Sequence, residues 1–239
     1  MADRWLAGRL VLVTGASRGI GAATSHALAA AGARVVLAAR DRDALEEVAS
    51  AIRADGGEAT PVPTDLGHAE QIWRLYASIE RTGPLAALVY CAGTLTSAPL
   101  VDTTDELWQR TLSVNLTGAF LCARAAFAAM REQGEGRIVN IGSLSGVYAT
   151  EKFPGLTAYN VSKYGVIGLT EALAVEGKRT GISAICVSPG AVDTEMLRRA
   201  NPELRPGLTP EQVAGLIVAL LDGPLIAASG ANIPLFSNA

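Results

Sequence analysis

Residues 10–21, Leu-Val-Leu-Val-Thr-Gly-Ala-Ser-Arg-Gly-Ile-Gly, decide the fold of this 239-residue chain. The first five of them form an apolar run that predicts a buried strand. Gly15, Gly19 and Gly21 follow at once and lead into an alanine-rich helical pattern. Glycines in such a turn let the backbone approach a phosphate, and the following helix offers unpaired N–H groups and the positive end of its dipole. The stretch therefore predicts a phosphate-binding strand–turn–helix unit, although its spacing differs from Gly-x-Gly-x-x-Gly and it lacks the lysine of a P-loop.

The rest of the chain alternates short apolar runs with longer helical patterns in the same way. Strands are predicted at residues 10–14, 34–39, 59–63, 86–90, 137–142, 183–188 and 231–235. Helices are predicted at residues 19–31, 42–55, 69–81, 104–132, 157–179 and 210–221. This alternation is typical of right-handed crossovers between parallel strands. We therefore expect an α/β fold: a single doubly wound Rossmann-type domain over residues 1–239, with a parallel sheet of about seven strands and helices on both faces.

The composition excludes several classes of protein. Hydrophobic residues make up 49% of the chain, charged residues only 18%, and the formal net charge is −3, which argues against disorder and against nucleic-acid binding. Three cysteines without a Cys-x-x-Cys motif and two widely separated histidines predict no disulfide scaffold and no local metal site. Neither a signal peptide nor an apolar run near the ~20 residues that cross a bilayer is visible. We expect a cytoplasmic protein with no membrane partner and no bound metal.

The end of the second predicted strand bears on the choice of nucleotide. Arg40 lies there, 19 residues after Gly21, where an acid would bind the ribose of NAD and an arginine the 2′-phosphate of NADP. Arg18 in the glycine turn is a second cation for the same phosphate. Asp41 is the counter-evidence, because it would bind a ribose hydroxyl if the strand ran one residue longer. The two arginines together favour NADP(H), with NAD(H) as the less favoured cofactor.

The third and fourth predicted strands end in less specific signals. Asp65, followed by Leu66, can accept a hydrogen bond from an adenine amino group, but it is equally suited to cap the next helix. Cys91, Ala92 and Gly93 follow the fourth strand, and their small size lets a cofactor lie against the backbone.

Two of the three lysines lie four residues after a tyrosine, as Tyr148/Lys152 and Tyr159/Lys163. Side chains four residues apart share a face only on a helix. A Phe-Pro-Gly sequence follows the first pair and predicts a loop, whereas the second pair opens a long stretch without proline. Only the second pair is therefore expected to have helical geometry, and Tyr148 is expected in a substrate loop.

The second pair suits proton transfer. A free tyrosine has a pKa of ~10, and a fixed ammonium beside Tyr159 is expected to lower that pKa. Such a phenol gives a proton to a carbonyl oxygen as hydride arrives, or takes one from an alcohol in the reverse direction. Ser143, at the end of the fifth predicted strand, is suited to donate a hydrogen bond to the same oxygen, with Ser145 as a weaker candidate.

In the order of its motifs the chain resembles the short-chain dehydrogenases/reductases in their single-domain form. The motifs are residues 14–21, Asp65, Ala92-Gly93, Asn115, Ser143, Tyr159-x-x-x-Lys163 and Pro189-Gly190. The resemblance implies that Tyr159 is the acid/base and that Ser143 orients the substrate oxygen. It also implies that Lys163 holds the nicotinamide ribose and that Asn115 anchors a water that relays protons to the lysine.

The resemblance further implies that Val192 and Thr194 contact the nicotinamide carboxamide. The predicted cofactor contacts lie at strand ends and in the segments that follow them, apart from the helical pair Tyr159 and Lys163. They are Gly15, Ser17, Arg18, Gly19, Ile20, Gly21, Arg40, Asp65, Leu66, Cys91, Ala92, Gly93, Tyr159, Lys163, Pro189, Gly190, Val192 and Thr194. The predicted catalytic residues are Asn115, Ser143, Tyr159 and Lys163. We interpret the chain as an NADP(H)-dependent oxidoreductase that interconverts a small-molecule carbonyl and a secondary alcohol by hydride transfer. The alternative is a dinucleotide-binding sensor or scaffold whose catalysis has been lost.

Three stretches depart from the family pattern. Cys91 stands where family members usually have asparagine, which is expected to affect stability more than chemistry. The interval from Ser143 to Tyr159 is longer than usual, so the loop over residues 147–156 is expected to reshape the substrate mouth. Residues 190–210 are fewer than usual and predict a reduced lid.

The substrate pocket is predicted to come from residues 95–100, 144–156 and 191–205. These segments carry few charges, which favours an apolar or neutral carbonyl. Lys152, Arg198 and Arg199 leave room for an acidic or carrier-bound group.

The low charge of the chain is concentrated in the sheet and in the predicted helices 104–132 and 157–179. Both helices are more apolar than a single buried face requires, which indicates a subunit interface. In the family these two helices form dimer and tetramer contacts. We expect a homodimer or a homotetramer.

Overall fold

The computed structural model describes residues 5–224 and 228–236. Its strands are β1 Leu10–Thr14, β2 Arg34–Ala39, β3 Glu58–Pro63, β4 Leu85–Tyr90, β5 Gly136–Ile141, β6 Ile182–Pro189 and β7 Asn232–Leu235. They form one seven-stranded parallel sheet with the order β3-β2-β1-β4-β5-β6-β7. The order reverses between β1 and β4, and this switch point opens a crevice at the carboxyl ends of the strands.

The helices of the described residues lie between these strands. They are α1 Gly19–Ala30, α2 Arg42–Ala54, α3 Ala69–Glu80, α4 Asp105–Leu112, α5 Gly118–Gln133, α6 Thr157–Gly177, α7 Glu195–Ala200 and α8 Pro210–Asp222. Local chemistry explains several boundaries. Thr209 and Gln212 form a capping box at the start of α8, and Gly134, with φ of 75°, ends α5 in the left-handed conformation.

Alternate residues of β1 face opposite sides of the sheet, and helices cover each side. Val11 and Val13 pack in a fully buried cluster with Ile217 of α8. Leu12 packs on the other side in a second cluster with Met130 of α5. Burial of one such side chain contributes about 1.5–3 kcal/mol, so the two clusters fix the strand ends from which the site is built.

The predicted fold class is confirmed, and the predicted strands and helices are found with boundaries within two residues. The prediction missed α7 and two 3₁₀ turns, Leu100–Asp102 and Leu144–Gly146. The predicted helix 104–132 was wrong in one respect, because a π-helical turn, Ser113–Thr117, separates α4 from α5.

The stretch Asp105–Gln133 is the one helical stretch in the described residues with the length and apolar composition of a membrane span. The expectation that no such stretch exists therefore needs this correction. Cys122, Ala126 and Met130 of this stretch are fully buried in the core against the sheet. These contacts are those of a core helix.

Candidate active site

A cleft of about 1720 Å³ lies at the carboxyl ends of the strands. Small-molecule sites usually have volumes of about 300–1,000 Å³, so this cleft has room for a dinucleotide together with a substrate. All predicted cofactor positions line it, and so do Ser143, Tyr159 and Lys163. Asn115 is the one predicted site residue that does not line the cleft.

The glycine turn after β1 is shaped by close backbone contacts. A Cβ atom on Gly15 would lie 2.8 Å from the Ala92 Cα, and one on Gly21 would lie 2.2 Å from the Gly15 carbonyl oxygen. Gly15 and Gly19 also have positive φ angles of 65° and 55°, which L side chains rarely adopt. Only glycines therefore allow this turn to fold tightly against the segment that follows β4.

The N-terminus of α1 opens into the cleft beside this turn. Arg18 precedes the helix without capping it through its side chain, and the first turn of α1 carries no acidic residue. The N–H groups of this turn and the positive end of the helix dipole thus suit an anionic ligand. The turn and the helix end together fit the pyrophosphate of a dinucleotide.

The cations predicted for the 2′-phosphate have different surroundings. Arg18 pairs with Asp41 of the α2 N-cap (Nη2 to Oδ2, 3.4 Å) and with Glu195 at the start of α7 (Nη1 to Oε2, 2.5 Å). Arg40 is exposed at the cleft and has no carboxylate within ion-pair distance in residues 5–224 and 228–236. Because β2 ends at Ala39 and Asp41 caps α2 by accepting from the Ala44 N–H at 3.2 Å, Asp41 is already engaged by the protein.

The ends of β3 and β4 line the middle of the cleft. Asp65 does not cap α3, because His68 is the residue before that helix. Its Oδ1 instead accepts from the Gly67 N–H at 2.9 Å. Cys91 is half-buried, and burial raises the pKa of its thiol to about 12. The Cys91 side chain is therefore a neutral wall of the cleft.

The segment after β6 forms the opposite wall. Pro189 ends the strand, and the Gly190 N–H donates to the Leu235 carbonyl oxygen at 2.9 Å. Val192 is buried, and the Thr194 hydroxyl caps α7 by accepting from the Leu197 N–H at 3.3 Å. A Cβ on Gly19 of the glycine turn would lie 3.2 Å from the Thr194 Cγ2 of this wall, so the two approach closely.

Asn115 lies in the π-helical turn, and its carboxamide is fully buried. Its Nδ2 donates to the Thr94 carbonyl oxygen at 2.9 Å and to Ser162 Oγ at 3.0 Å, while its Oδ1 accepts from the Thr94 N–H at 2.7 Å. The side chain thus ties the segment after β4 to α6. π-Helical turns are frequent at functional sites. The predicted role of Asn115 in holding a water stays a prediction.

The proton-transfer candidates come from two elements that meet beside β5. Ser143 follows β5, and Tyr159 and Lys163 lie one helical turn apart in the first two turns of α6. The Lys163 ammonium is buried and donates to the Ile141 carbonyl oxygen at 2.8 Å, and it lies 5.7 Å from the centroid of the Tyr159 ring. The helical geometry predicted for this pair is thus observed.

The predicted net lowering of the Tyr159 pKa is not found in this structure. Burial raises the pKa of Tyr159 above its ordinary value of 10.0, and the opposing contribution is a hydrogen bond with Ser143. Burial also lowers the pKa of Lys163 from 10.5 to about 8. The physical reason is that both groups are desolvated and that the ammonium bonds a carbonyl oxygen at Ile141.

The substrate mouth is formed by the loops that carry the predicted pocket residues. Tyr148 is 87% exposed and Phe153 is 42% exposed at its edge. The three cations that leave room for an acidic group all have partners in the structure. Arg198 pairs with Asp193 at 2.9 Å, and Arg199 pairs with Glu195. Lys152 bonds atoms of its own loop and does not line the cleft.

Several residues that shape the site were missed in the sequence. Ser162 binds Asn115, and the Ile141 carbonyl oxygen binds Lys163. Glu195 pairs with Arg18 across the cleft mouth and with Arg199 one turn further along α7. The position of Ser162, directly before Lys163, is a signal that could have pointed to it, whereas the ion pair of Glu195 with Arg18 joins residues 177 positions apart.

A metal was not expected, and the described residues contain no group of three or more His, Cys, Asp or Glu side chains that could hold one.

The sheet, the glycine turn and the Ser–Tyr–Lys arrangement together define the class of nucleotide-dependent oxidoreductases. The family model for short chain dehydrogenase matches residues 9–205. The 3-oxoacyl-[acyl-carrier-protein] reductase of Synechocystis sp. is 38% identical over 232 residues, which cover 93% of this chain and 92% of that protein. The chain belongs to the short-chain dehydrogenase family and is an oxidoreductase of that family.

Solved structures agree with this assignment. A short-chain type dehydrogenase/reductase from Mycobacterium marinum is 34% identical, with a TM-score of 0.91 over 98% of this chain and 97% of that chain. A 3-oxoacyl (acyl-carrier-protein) reductase from Agrobacterium tumefaciens with NADP bound is 29% identical, with a TM-score of 0.89 over 98% of this chain and 95% of that chain.

Proposed function

We propose that the chain is an NADP(H)-dependent oxidoreductase that interconverts a carbonyl and a secondary alcohol, with Tyr159 as the acid/base. The observation that carries the proposal is the meeting of Ser143, Tyr159 and Lys163 in the same cleft as the glycine turn. Two of these groups, the Tyr159 phenol and the Lys163 ammonium, are desolvated, and their pKa values are shifted in opposite directions. Perturbed, buried titratable groups in a cleft are typical of catalytic sites.

The chemistry follows from the properties of these side chains. A bound nicotinamide supplies the hydride, which becomes the new C–H bond of the alcohol. Ser143 donates a hydrogen bond to the carbonyl oxygen and so stabilises the negative charge that develops on it. Tyr159 transfers its phenolic proton to that oxygen, which completes the alcohol and leaves a phenolate. In the reverse direction the phenolate takes the alcohol proton.

Lys163 serves this step in its protonated form. Its pKa of about 8 means that it is mostly charged at neutral pH while still able to exchange its proton. An ammonium beside the newly formed phenolate stabilises that anion and can restore its proton. We assign the predicted water at Asn115 to the same proton path, with Asn115 holding the segment after β4 in place.

The 2′-phosphate assignment is supported by the contrast between the two arginines. Arg40 is exposed at the cleft, and within the described part of the chain it has no carboxylate partner. Arg18 can turn to the same phosphate by leaving its half-exposed partners Asp41 and Glu195. The related Agrobacterium tumefaciens reductase contains bound NADP. These points favour NADP(H) over NAD(H).

We propose a neutral carbonyl compound as the substrate. The mouth is lined by apolar and aromatic side chains such as Leu144, Tyr148 and Phe153, and Arg198 and Arg199 form exposed ion pairs with Asp193 and Glu195. The name of the Synechocystis relative makes 3-oxoacyl thioesters the first class to test.

A screen of purified protein tests the proposed function. NADPH oxidation is followed with 3-oxoacyl thioesters, simple ketones and quinones, and NADPH binding is measured separately by fluorescence. We expect binding and turnover with at least one neutral carbonyl. Tight NADPH binding without turnover on any of these substrates would contradict the proposal and support the sensor or scaffold alternative.

We also propose that the chain forms a homodimer or a homotetramer through α5 and α6. Val161, Tyr164 and Val175 are exposed on α6, and Phe120 is exposed on α5. Such apolar stripes favour helix–helix contact between subunits. Light scattering of the purified protein tests this, and a monomer would contradict it.

Two further expectations remain proposals. The three cysteines of the chain are free thiols in the structure, which fits a reducing cytoplasm. We infer that the described residues form one domain, because the seven strands found in them belong to one sheet. Residues 1–4, 225–227 and 237–239 of the predicted domain lie outside the described residues.

A further inference from the structure

The lysine of the first Tyr-x-x-x-Lys pair has an internal role in the substrate loop. Lys152 Nζ donates to the carbonyl oxygens of Leu144 at 3.1 Å and Val147 at 2.7 Å, and to Thr150 Oγ1 at 2.6 Å. An ammonium has three N–H donors, and each of them thus has an acceptor within residues 144–150. The side chain is half-buried and does not line the cleft.

Other contacts converge on the same two carbonyl groups. The Thr150 hydroxyl lies 2.6 Å from the Leu144 oxygen and 3.0 Å from the Val147 oxygen. The Tyr164 hydroxyl of α6 donates to the Val147 oxygen at 3.2 Å, and the Lys152 ammonium lies 5.3 Å from the Tyr164 ring centroid. Charge-assisted hydrogen bonds are stronger than neutral ones. Lys152 is therefore the strongest donor in this cluster.

The loop contains an unfavourable backbone conformation that such an anchor can hold. Ala149 has φ of 58° and is the one non-glycine residue with positive φ in residues 5–224 and 228–236. A side chain with a Cβ rarely adopts this conformation, so it persists only where neighbouring contacts impose it. The bonds of Lys152 on both sides of Ala149, to Val147 and Thr150, supply those contacts.

The anchored segment is continuous with the proton-transfer site. Leu144 directly follows Ser143, whose Oγ accepts from the Ser145 N–H at 3.1 Å and whose side chain lines the same cleft as Tyr159 and lowers its pKa. Gly146 packs so tightly on α6 that a Cβ there would lie 2.4 Å from the Lys163 carbonyl carbon. A displacement of the Leu144–Gly146 turn would therefore move Ser143 relative to Tyr159.

We propose that Lys152 is a positioning residue for the reaction proposed above: by binding the Leu144 and Val147 carbonyl oxygens it holds the Ser143 hydroxyl in place against Tyr159. The inference rests on the proposed function. It assigns a role to the lysine of the Tyr148/Lys152 pair, which the proton transfer by Tyr159 and Lys163 does not use. Lys152 acts through Ser143 and touches neither substrate nor cofactor.

The test compares Lys152→Met, which keeps the aliphatic stem but removes the charge and donors, with Lys152→Arg, which keeps both. Misplacement of a reacting group by about 1 Å lowers rates by up to about 100-fold. We expect Lys152→Met to lower kcat by about 10- to 100-fold with the KM for NADPH unchanged, and Lys152→Arg to recover a large part of the loss. The exposed Lys178→Met is the matched control and should keep the wild-type kcat.

A double-mutant cycle with Ser143→Ala separates positioning from general loss of structure. If Lys152 acts through Ser143, then Lys152→Met causes little further loss in the Ser143→Ala background. Equal losses in both backgrounds would overturn the inference, as would wild-type kcat in Lys152→Met or equal defects in the Met and Arg variants. If Lys152→Met does not fold, as judged by its thermal unfolding, Lys152→Gln takes its place in the cycle.

The result also distinguishes this inference from the proposed function. A wild-type protein that turns over no carbonyl would overturn both. Normal wild-type turnover together with an unaffected Lys152→Met variant would overturn only the role of Lys152.

Discussion

The two walls of the cleft are built by different means. The cofactor wall consists of strand ends, the glycine turn and the N-terminus of α1. In this turn, neighbouring backbone atoms occupy the space that a Cβ on Gly15 or Gly21 would need. The substrate wall consists of loops held by side chains that bind backbone oxygens and by ion pairs, such as those of Lys152 and Glu195. The first wall is a property of the fold, and the second is a property of particular side chains. Substitutions in the two walls should therefore differ in both size and kind.

The largest expected effect is at Gly21, in the glycine turn of the cofactor wall. Gly21→Ala places a Cβ 2.2 Å from the Gly15 carbonyl oxygen, so the turn must open. We expect a loss of about 1–3 kcal/mol in the free energy of unfolding and loss of NADPH binding. Chemical denaturation and a fluorescence titration measure these effects.

Gly215→Ala is the matched control for Gly21→Ala. Gly215 lies in the interior of α8, and a Cβ there meets no atom within 4 Å. Alanine is the better helix former by about 1 kcal/mol, so this variant should be as stable as the wild type or more stable. Equal stability of the two glycine variants would show that the close contact at Gly21 does not restrict the side chain there.

The next effect concerns the charge of Lys163 where the two walls meet. Its pKa in the folded protein is about 8, below the ordinary 10.5, so folding disfavours its charged form. Above pH 10.5 the side chain is neutral in both the folded and the unfolded state, and burial of Lys163 carries no charge penalty. This advantage is lost as the pH falls through 8, where the folded state must also bind the proton. We expect the free energy of unfolding of the wild type, relative to Lys163→Met, to rise by up to about 3 kcal/mol between pH 7 and 10.5.

Urea unfolding of both proteins at several pH values measures this difference. The variant serves as the internal reference, because the other titrating groups are common to both proteins. A difference that is independent of pH would show that Lys163 is not perturbed in the folded state.

A smaller effect is expected for the cofactor phosphate. Arg40→Ala removes a cation without a carboxylate partner in the described residues, so it should weaken NADPH without disturbing the fold. A charged hydrogen bond contributes about 1.5–3 kcal/mol, and we expect the KM for NADPH to rise by about 10- to 100-fold. The KM for NADH should change little. An equal change for both cofactors would exclude a contact with the 2′-phosphate.

The smallest effect is expected at the ion pair between Arg18 of the cofactor wall and Glu195 of the substrate wall. Glu195→Gln releases Arg18 from a half-exposed pair, and such pairs contribute about 0.2–1 kcal/mol. We expect NADPH to bind up to about fivefold more tightly, because Arg18 becomes available to the cofactor. Glu203→Gln, at an exposed position that does not line the cleft, should have no effect. Weaker NADPH binding in Glu195→Gln would mean that the pair stabilises the bound state.

The contrast between the walls also explains what could be predicted from the sequence. The strands, the helices and the glycine turn follow from hydrophobic periodicity and from glycine positions, which are local signals. The pairing of Tyr159 with Lys163 follows from their spacing and from the absence of proline after them. These features were predicted because a few neighbouring residues determine them.

The remaining features depend on contacts between distant residues. The π-helical turn at Ser113–Thr117 accompanies a hydrogen bond from the Tyr90 hydroxyl to the Val114 carbonyl oxygen, at 2.6 Å. The raised pKa of Tyr159 results from burial that only the packed structure creates. The loop position of Lys152 was predicted, but its binding of Leu144 and Val147 was not, since no periodicity encodes it. Such side chain-to-backbone contacts require the three-dimensional structure.

The central claim, that Tyr159 transfers the proton, is tested most directly by Tyr159→Phe beside Tyr148→Phe. The control tyrosine belongs to the other Tyr-x-x-x-Lys pair and is 87% exposed at the mouth. We predict that Tyr159→Phe lowers kcat by about 10²- to 10⁴-fold while the Kd for NADPH is unchanged, and that Tyr148→Phe keeps wild-type kcat. A Tyr159→Phe variant with wild-type turnover would contradict the account.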